Sequence, residues 1–125
     1  MLDSTDPRPT IILVDDDAAL RAALKFNLEI EGFHVETCES GEALLLRDLP
    51  SGRACVVLDY NLPGITGLDA LSQLRRRQVD LPALIITSTP SLHVRERIRA
   101  AGADLIEKPL LGDALVGGIR EALAR

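Results

Sequence analysis

The sequence predicts an α/β fold: a doubly wound, five-stranded parallel sheet with helices on both faces. Three observations carry that expectation. Short apolar runs without polar alternation recur along the chain, the clearest being Ile11-Ile12-Leu13-Val14, Ala54-Cys55-Val56-Val57-Leu58 and Ala83-Leu84-Ile85-Ile86. Runs of this kind read as strands buried on both faces. Between them, apolar residues return at helical spacing, and strand alternating with helix implies parallel pairing through right-handed crossovers. Two of the runs end abruptly on acids, Asp15-Asp16 and Asp59. The carboxyl edge of such a sheet is where ligands bind.

Taken in order, residues 1–9 are polar and proline-broken and read as a flexible arm ahead of one domain over residues 10–125. The first strand is followed by Asp15-Asp16-Asp17. A helix then runs through Leu20, Ala23, Leu24, Asn27, Leu28 and Ile30, with Asp17 as its N-cap and Gly32 as its stop. Residues 33–38 form a second strand, and Ser40 caps a helix over residues 41–48 that Pro50 and Gly52 break. The third strand, ending on Asp59, opens into a turn with Asn61, Pro63, Gly64 and Gly67. Thr66 with Asp69 three residues on reads as a capping box for a helix through Leu68, Leu71 and Leu74. Its last turn carries Arg75, Arg76 and Arg77, cations that complement the helix dipole on a solvated face. Pro82 starts the fourth strand, which ends at Thr87, and Ser88-Thr89-Pro90-Ser91 is a turn with two candidate caps for a helix through Leu92, Val94, Ile98 and Ala101. Residues 105–107 are a short fifth strand, followed by Lys108-Pro109. The last helix carries Leu111, Leu115, Ile119, Ala122 and Leu123, with Gly117-Gly118 unexplained within it.

With 125 residues, 46% of them hydrophobic, the chain has the size of one domain with one real core. Two Phe, one Tyr and no Trp leave that core to Leu, Ile, Val and Ala. A net charge of -5 argues against a broad nucleic-acid surface. No run is long enough to span a membrane, and the first ten residues lack the apolar core of a signal peptide, so a cytoplasmic protein is expected. Cys38 and Cys55 fall in strands as buried, reduced thiols, and neither belongs to a metal-spaced pair. His34 and His93 have no partner at ligand spacing.

The residues at the strand ends form a chemically coherent set. Strand one gives Asp15 and Asp16, strand three Asp59 and then Asn61, strand four Thr87, and strand five Lys108. Crowded carboxylates require a proton or a cation between them. Hard oxygen ligands suit Mg²⁺ (or Mn²⁺). A carboxylate, a divalent metal, a lysine and a hydroxyl together describe a phosphoryl acceptor, in which an aspartate becomes covalently phosphorylated. Taken singly, each residue has a plainer reading as a helix-start acid, a turn residue, a β-former or a solvated charge.

The pieces "IILVDDD", "VVLDYNLPGITG", "LIITS" and "GADLIEKP", in this order and spacing, make the sequence from about Thr10 to Arg125 resemble the receiver domain of two-component response regulators. The resemblance implies a flavodoxin-like fold with strand order 2-1-3-4-5. It implies that Asp59 is the phosphoacceptor and that Asp16, Asp59 and the backbone carbonyl of Asn61 ligate Mg²⁺, with Asp15 acting largely through water. Thr87 and Lys108 match the phosphoryl-binding hydroxyl and lysine, and the Lys108–Pro109 peptide is expected to be cis. The phosphoryl donor would be a sensor histidine kinase or a histidine phosphotransfer protein. The chain would then be a signalling domain rather than an enzyme beyond its own Mg²⁺-dependent phosphorylation and dephosphorylation. The response would pass through the face of helix four, strand five and helix five, which would include Val94, Ile98, Leu105, Leu111 and Leu115, some of which must instead face the core. That face is expected to give at most a weak or phosphorylation-dependent homodimer, with no direct nucleic-acid binding by this domain. The sequence departs from the family pattern at two aromatic positions, held here by Leu105 and Leu110, and Pro90 constrains Thr89 in the loop after Thr87.

Two other classes fit the chemistry less well. A haloacid-dehalogenase-type phosphatase wants a second aspartate two residues after its nucleophile, where this chain has Asn61. A dinucleotide or flavin binder wants a glycine-rich first turn, where Asp15-Asp16-Asp17 would repel a pyrophosphate.

Overall fold

The computed structural model describes residues 7–110 and 113–125. Strands and helices alternate: β1 (Thr10–Val14), α1 (Ala18–Ile30), β2 (His34–Cys38), α2 (Gly41–Leu46), β3 (Ala54–Asp59), α3 (Gly67–Arg76), β4 (Ala83–Thr87), α4 (Leu92–Ala100), β5 (Ala103–Glu107) and α5 (Ala114–Ala124). The five strands are parallel in the order β2-β1-β3-β4-β5.

The unalternated apolar runs have a direct structural cause. Successive side chains of a strand point to opposite faces, and here both faces are covered. Ile12, Val14, Val56, Leu58, Ala83 and Ile85 join Leu44, Leu68, Leu71, Leu74 and Ile98 in one core layer, under α2, α3 and α4. Ile11, Leu13, Cys55, Val57, Leu84 and Ile86 join Leu28, Leu115, Ile119 and Ala122 in the other, under α1 and α5. Four helices start where a short polar side chain accepts a backbone N–H: Asp17 from Leu20, Ser40 from Ala43, Thr66 from Asp69 and Ser91 from Val94. Gly32, at φ 100, turns the chain after α1 in the left-handed region where glycine is favoured.

Several boundaries and roles differ from those the sequence suggests. The second strand begins at His34, because the Phe33 N–H still donates back to the Leu28 C=O of α1 at 3.2 Å. The second helix stops at Leu46: Arg47 is extended and swings its guanidinium back onto Glu36, the Thr37 carbonyl and Cys38 of β2. The fifth strand is longer than residues 105–107 and starts at Ala103. Along α1, Ile30 is exposed rather than buried, and Leu28 is the residue that seats the helix. Asp69 does not complete a capping box by turning back; its carboxylate pairs with Arg97 of α4 at 3.2 Å.

Arg75 is not a solvated charge. Its Nε donates to Ala101 C=O at 2.8 Å, and its Nη1 to Val79 and Leu81 C=O at 2.8 and 2.9 Å. One guanidinium thus joins the α3–β4 connection to the end of α4, and burial lowers its pKa. Of the glycine pair in α5, Gly118 has a packing reason: a Cβ there would stand 2.9 Å from Ile106 Cδ1 of β5. Gly117 faces open space. Leu111 and the first six residues of the expected arm lie outside the described residues. No helix among the described residues is long and apolar enough to cross a membrane.

Candidate functional site

The register of the central strands delivers the acids to one place. Val14 pairs with Leu58, so Asp15 leaves β1 beside Asp59, the last residue of β3. Asp59 in turn pairs with Ile86, and Thr87 pairs with Glu107, so Thr87 and Lys108 flank Asp59 on the other side. Backbone hydrogen bonds hold this edge in line: Asp15 N–H to Cys38 C=O, Tyr60 N–H to Ile86 C=O and Lys108 N–H to Thr87 C=O, at 2.8 to 3.1 Å. The Lys108–Pro109 peptide is cis.

Asp15, Asp59 and Thr87 are the buried polar or charged residues among those described, while Asp16 is exposed. Each of Asp15, Asp16 and Asp59 offers a carboxylate oxygen, and these oxygens lie within 4.8 Å of one another. Asp59 is held at both oxygens. Oδ1 accepts the Asn61 N–H at 2.9 Å, and Oδ2 accepts from Lys108 Nζ at 3.0 Å. Asp15 accepts the Asp17 N–H at 2.8 Å. Burial pushes the Asp15 carboxyl above its ordinary range, the Asp17 N–H works against that, and the neighbouring Asp59 charge adds to it. Three carboxylates around one ammonium are an acidic pocket of hard oxygen donors, one of them open to solvent. That donor set fits a divalent cation such as Mg²⁺, which keeps part of its water shell.

All six residues singled out from the sequence therefore share one edge of the sheet. Two contributors carried no sequence signal of a role in the site. Arg21 of α1 donates from Nη1 to the Asp15 carbonyl at 2.7 Å, anchoring the backbone of the acid pair. Gly67, read from sequence as a turn residue, sits where a Cβ would collide with the Asp59 carbonyl, so α3 starts against the backbone of the acceptor strand. Both partners are backbone atoms fixed by tertiary packing, which residue spacing does not reveal. In the loop after Thr87, Thr89 takes φ 40, a left-handed conformation that costs a β-branched residue strain. His34 pairs with Glu36 on β2 and His93 is exposed on α4, both outside the cluster.

The sequence pattern of the family described as "Response regulator receiver domain" matches residues 11–120. The chain belongs to this family. It is a receiver domain of two-component response regulators, a signalling domain. Among curated relatives it is 34% identical over 119 residues to the C4-dicarboxylate transport transcriptional regulatory protein DctD of Pseudomonas aeruginosa, covering 94% of this chain and 26% of that protein. It is 33% identical over 114 residues to the transcriptional regulatory protein FixJ of Azorhizobium caulinodans, covering 90% of this chain and 54% of FixJ. This receiver chain thus spans about a quarter of the one relative and about half of the other. Among solved structures, the FixJ-N crystal structure superposes with a TM-score of 0.84 at 29% identity, over 94% of both chains. The non-phosphorylated HemR receiver domain of Leptospira biflexa gives 0.85 at 28% identity, over 94% of this chain and 96% of that one.

Proposed function

We propose that residues 10–125 form a phosphoaccepting receiver domain in which Asp59 takes a phosphoryl group from a sensor histidine kinase or a histidine phosphotransfer protein. The observation that carries this reading is the convergence of Asp15, Asp16 and Asp59 within 4.8 Å, with Lys108 Nζ 3.0 Å from Asp59 Oδ2. A carboxylate oxygen of Asp59 attacks phosphorus in the donor's phosphohistidine. The P–N bond breaks, its electron pair stays on the imidazole, which takes up a proton, and a C–O–P linkage forms on Asp59. Attack by water on the same phosphorus resets the domain.

Asp16 and Asp59, with the backbone carbonyl of Asn61, would hold Mg²⁺ (or Mn²⁺), and Asp15 would act through water. Bound there, the metal offsets charge on the transferring phosphoryl oxygens. Lys108 leaves Asp59 to pair with the phosphoryl group, and the Thr87 hydroxyl donates to it. Phosphorylation adds up to about two negative charges and three acceptor oxygens at this edge. Movement of Thr87 and Lys108 toward them would alter the face of α4, β5 and α5. Leu105 holds the aromatic position of that face, so the response uses a smaller, aliphatic side chain there. The setting is cytoplasmic, where histidine kinases present their phosphohistidine.

Intact mass after incubation with Mg²⁺ and acetyl phosphate or phosphoramidate tests the reading. The expected result is a single base-labile phosphoryl adduct that is absent in Asp59→Asn and without Mg²⁺. No adduct at any donor concentration, or an adduct that persists in Asp59→Asn, contradicts it.

A further inference from the structure

The loop between β3 and α3 is fastened at three points. At its start, Asn61 N–H donates to Asp59 Oδ1. At its end, Gly67 N–H donates to Tyr60 C=O at 3.0 Å, closing the loop on itself. The third fastening comes from a separate element: Glu42, in the first turn of α2, accepts the Ile65 N–H on Oε2 at 3.1 Å, across 23 residues of chain.

The packing around that bond is reciprocal. Gly64 takes φ 76, and a Cβ on it would run into the Glu42 carboxylate. Gly41 is bare from the opposite side, because a Cβ there would lie 2.8 Å from Ile65 Cγ1 and 3.1 Å from Ala70 Cβ. Glycine is the residue that permits both a positive φ and so close an approach. Two glycines, one on each element, therefore make room for one side chain each: Glu42 beneath the loop and Ile65 over the helix. Glu42 is itself an exposed residue of a six-residue helix, so core packing alone does not explain how closely it is seated.

We infer that Glu42 is a positioning residue for the phosphoacceptor site. By holding Ile65 it fixes the β3–α3 loop, and through Asn61 it fixes the orientation of Asp59 and of the loop carbonyl that the proposed metal site uses. Groups behind a metal's own ligands set its affinity by holding those ligands in place. The inference rests on the reading of Asp59 as a Mg²⁺-dependent phosphoacceptor.

The test compares the full chain as wild type, Glu42→Ala and Glu42→Gln. Mg²⁺ binding is followed by calorimetry, acetyl phosphate labelling by intact mass over a Mg²⁺ series, and stability by melting without metal. Glu42→Ala is expected to need about tenfold more Mg²⁺ for half-maximal labelling. It should recover the wild-type rate at saturating Mg²⁺ and melt close to wild type. Glu42→Gln, whose amide oxygen still accepts from Ile65, should titrate like wild type although it too lacks the charge. An alanine variant that titrates like wild type overturns the inference. So does a glutamine variant as impaired as the alanine one, which would make the effect one of charge. If the wild type forms no Asp59 adduct, the phosphoacceptor reading falls and takes this inference with it. If the wild type is labelled and Glu42→Ala matches it, the inference about Glu42 falls alone.

Discussion

Cys55 lies at the centre of β3 with none of its surface exposed, and burial pushes its thiol from an ordinary 9.0 up to about 12, against a small opposing pull from Arg125. A group whose folded pKa is raised contributes stability that is fully present below the unfolded value and is lost as pH climbs toward the folded one. Between about pH 9 and pH 12, each pH unit should therefore cost the fold about 1.4 kcal/mol from this thiol alone. Urea titrations of wild type and Cys55→Ala over that range check this: the variant starts less stable but declines less steeply. Parallel curves would show that Cys55 ionises as freely in the folded chain as in the unfolded one. The site residues contrast with Cys55 in how openly they stand in the sequence. Asp15, Asp59, Thr87 and Lys108 each end or directly follow a strand, so their position at the carboxyl edge is legible once the strands are. Arg21 and Glu42 are not legible in this way, because each binds a backbone atom of an element distant in sequence or hidden by a turn, and no spacing rule marks such a partner.

At the scale of elements, α5 provides a controlled comparison within one helix. Gly117 and Gly118 carry the same intrinsic penalty relative to alanine, about 1 kcal/mol each. Their surroundings differ: a Cβ on Gly117 would meet nothing within 4 Å, while one on Gly118 would press on Ile106. Gly117→Ala should stabilise the domain by about 0.5 to 1 kcal/mol. Gly118→Ala must displace Ile106 and should gain clearly less or lose stability. Urea midpoints decide; equal gains at the two positions would mean that Ile106 moves aside without cost and that Gly118 has no packing role. The same contrast explains which element features are readable. Caps at Asp17, Ser40, Thr66 and Ser91 are local chemistry and are legible from the residues. Arg75 reads from sequence as a solvated last-turn cation because its three acceptor carbonyls, Val79, Leu81 and Ala101, come together only when α4 packs beside α3. The early end of α2 has the same origin, since Arg47 is drawn back onto the edge strand β2.

For the whole molecule, alternating strands and helices with two-sided apolar runs make the doubly wound parallel class legible. Periodicity alone does not order the strands; that order comes from the family resemblance and matches the observed β2-β1-β3-β4-β5. What the assembled fold adds is an account of the surface. Of the residues expected on the α4–β5–α5 face, Ile98 and Leu115 are consumed by the two core layers, and Val94 and Leu105 are partly buried against one of them. Among the described residues, what this face presents outward includes the Arg95–Glu107 ion pair at 2.7 Å, with Leu92 exposed at the start of α4, while Arg97 turns away to pair with Asp69 of α3 at 3.2 Å. A stable interface buries roughly 1,200 to 2,000 Å² around an apolar, largely uncharged centre. An ion pair beside an exposed Leu92 does not supply such a centre among the described residues, so the unmodified chain should sediment as a monomer at micromolar concentration. Glu107 adjoins Lys108, the residue that would turn toward a phosphoryl group, so the Arg95–Glu107 pair is the part of the face placed to rearrange on phosphorylation. Sedimentation with Mg²⁺ and a phosphoryl mimic should then show either a monomer or a weak, concentration-dependent dimer. A tight dimer that persists in both states would mean that the apolar contact lies on another surface and that the face of α4, β5 and α5 does not govern association.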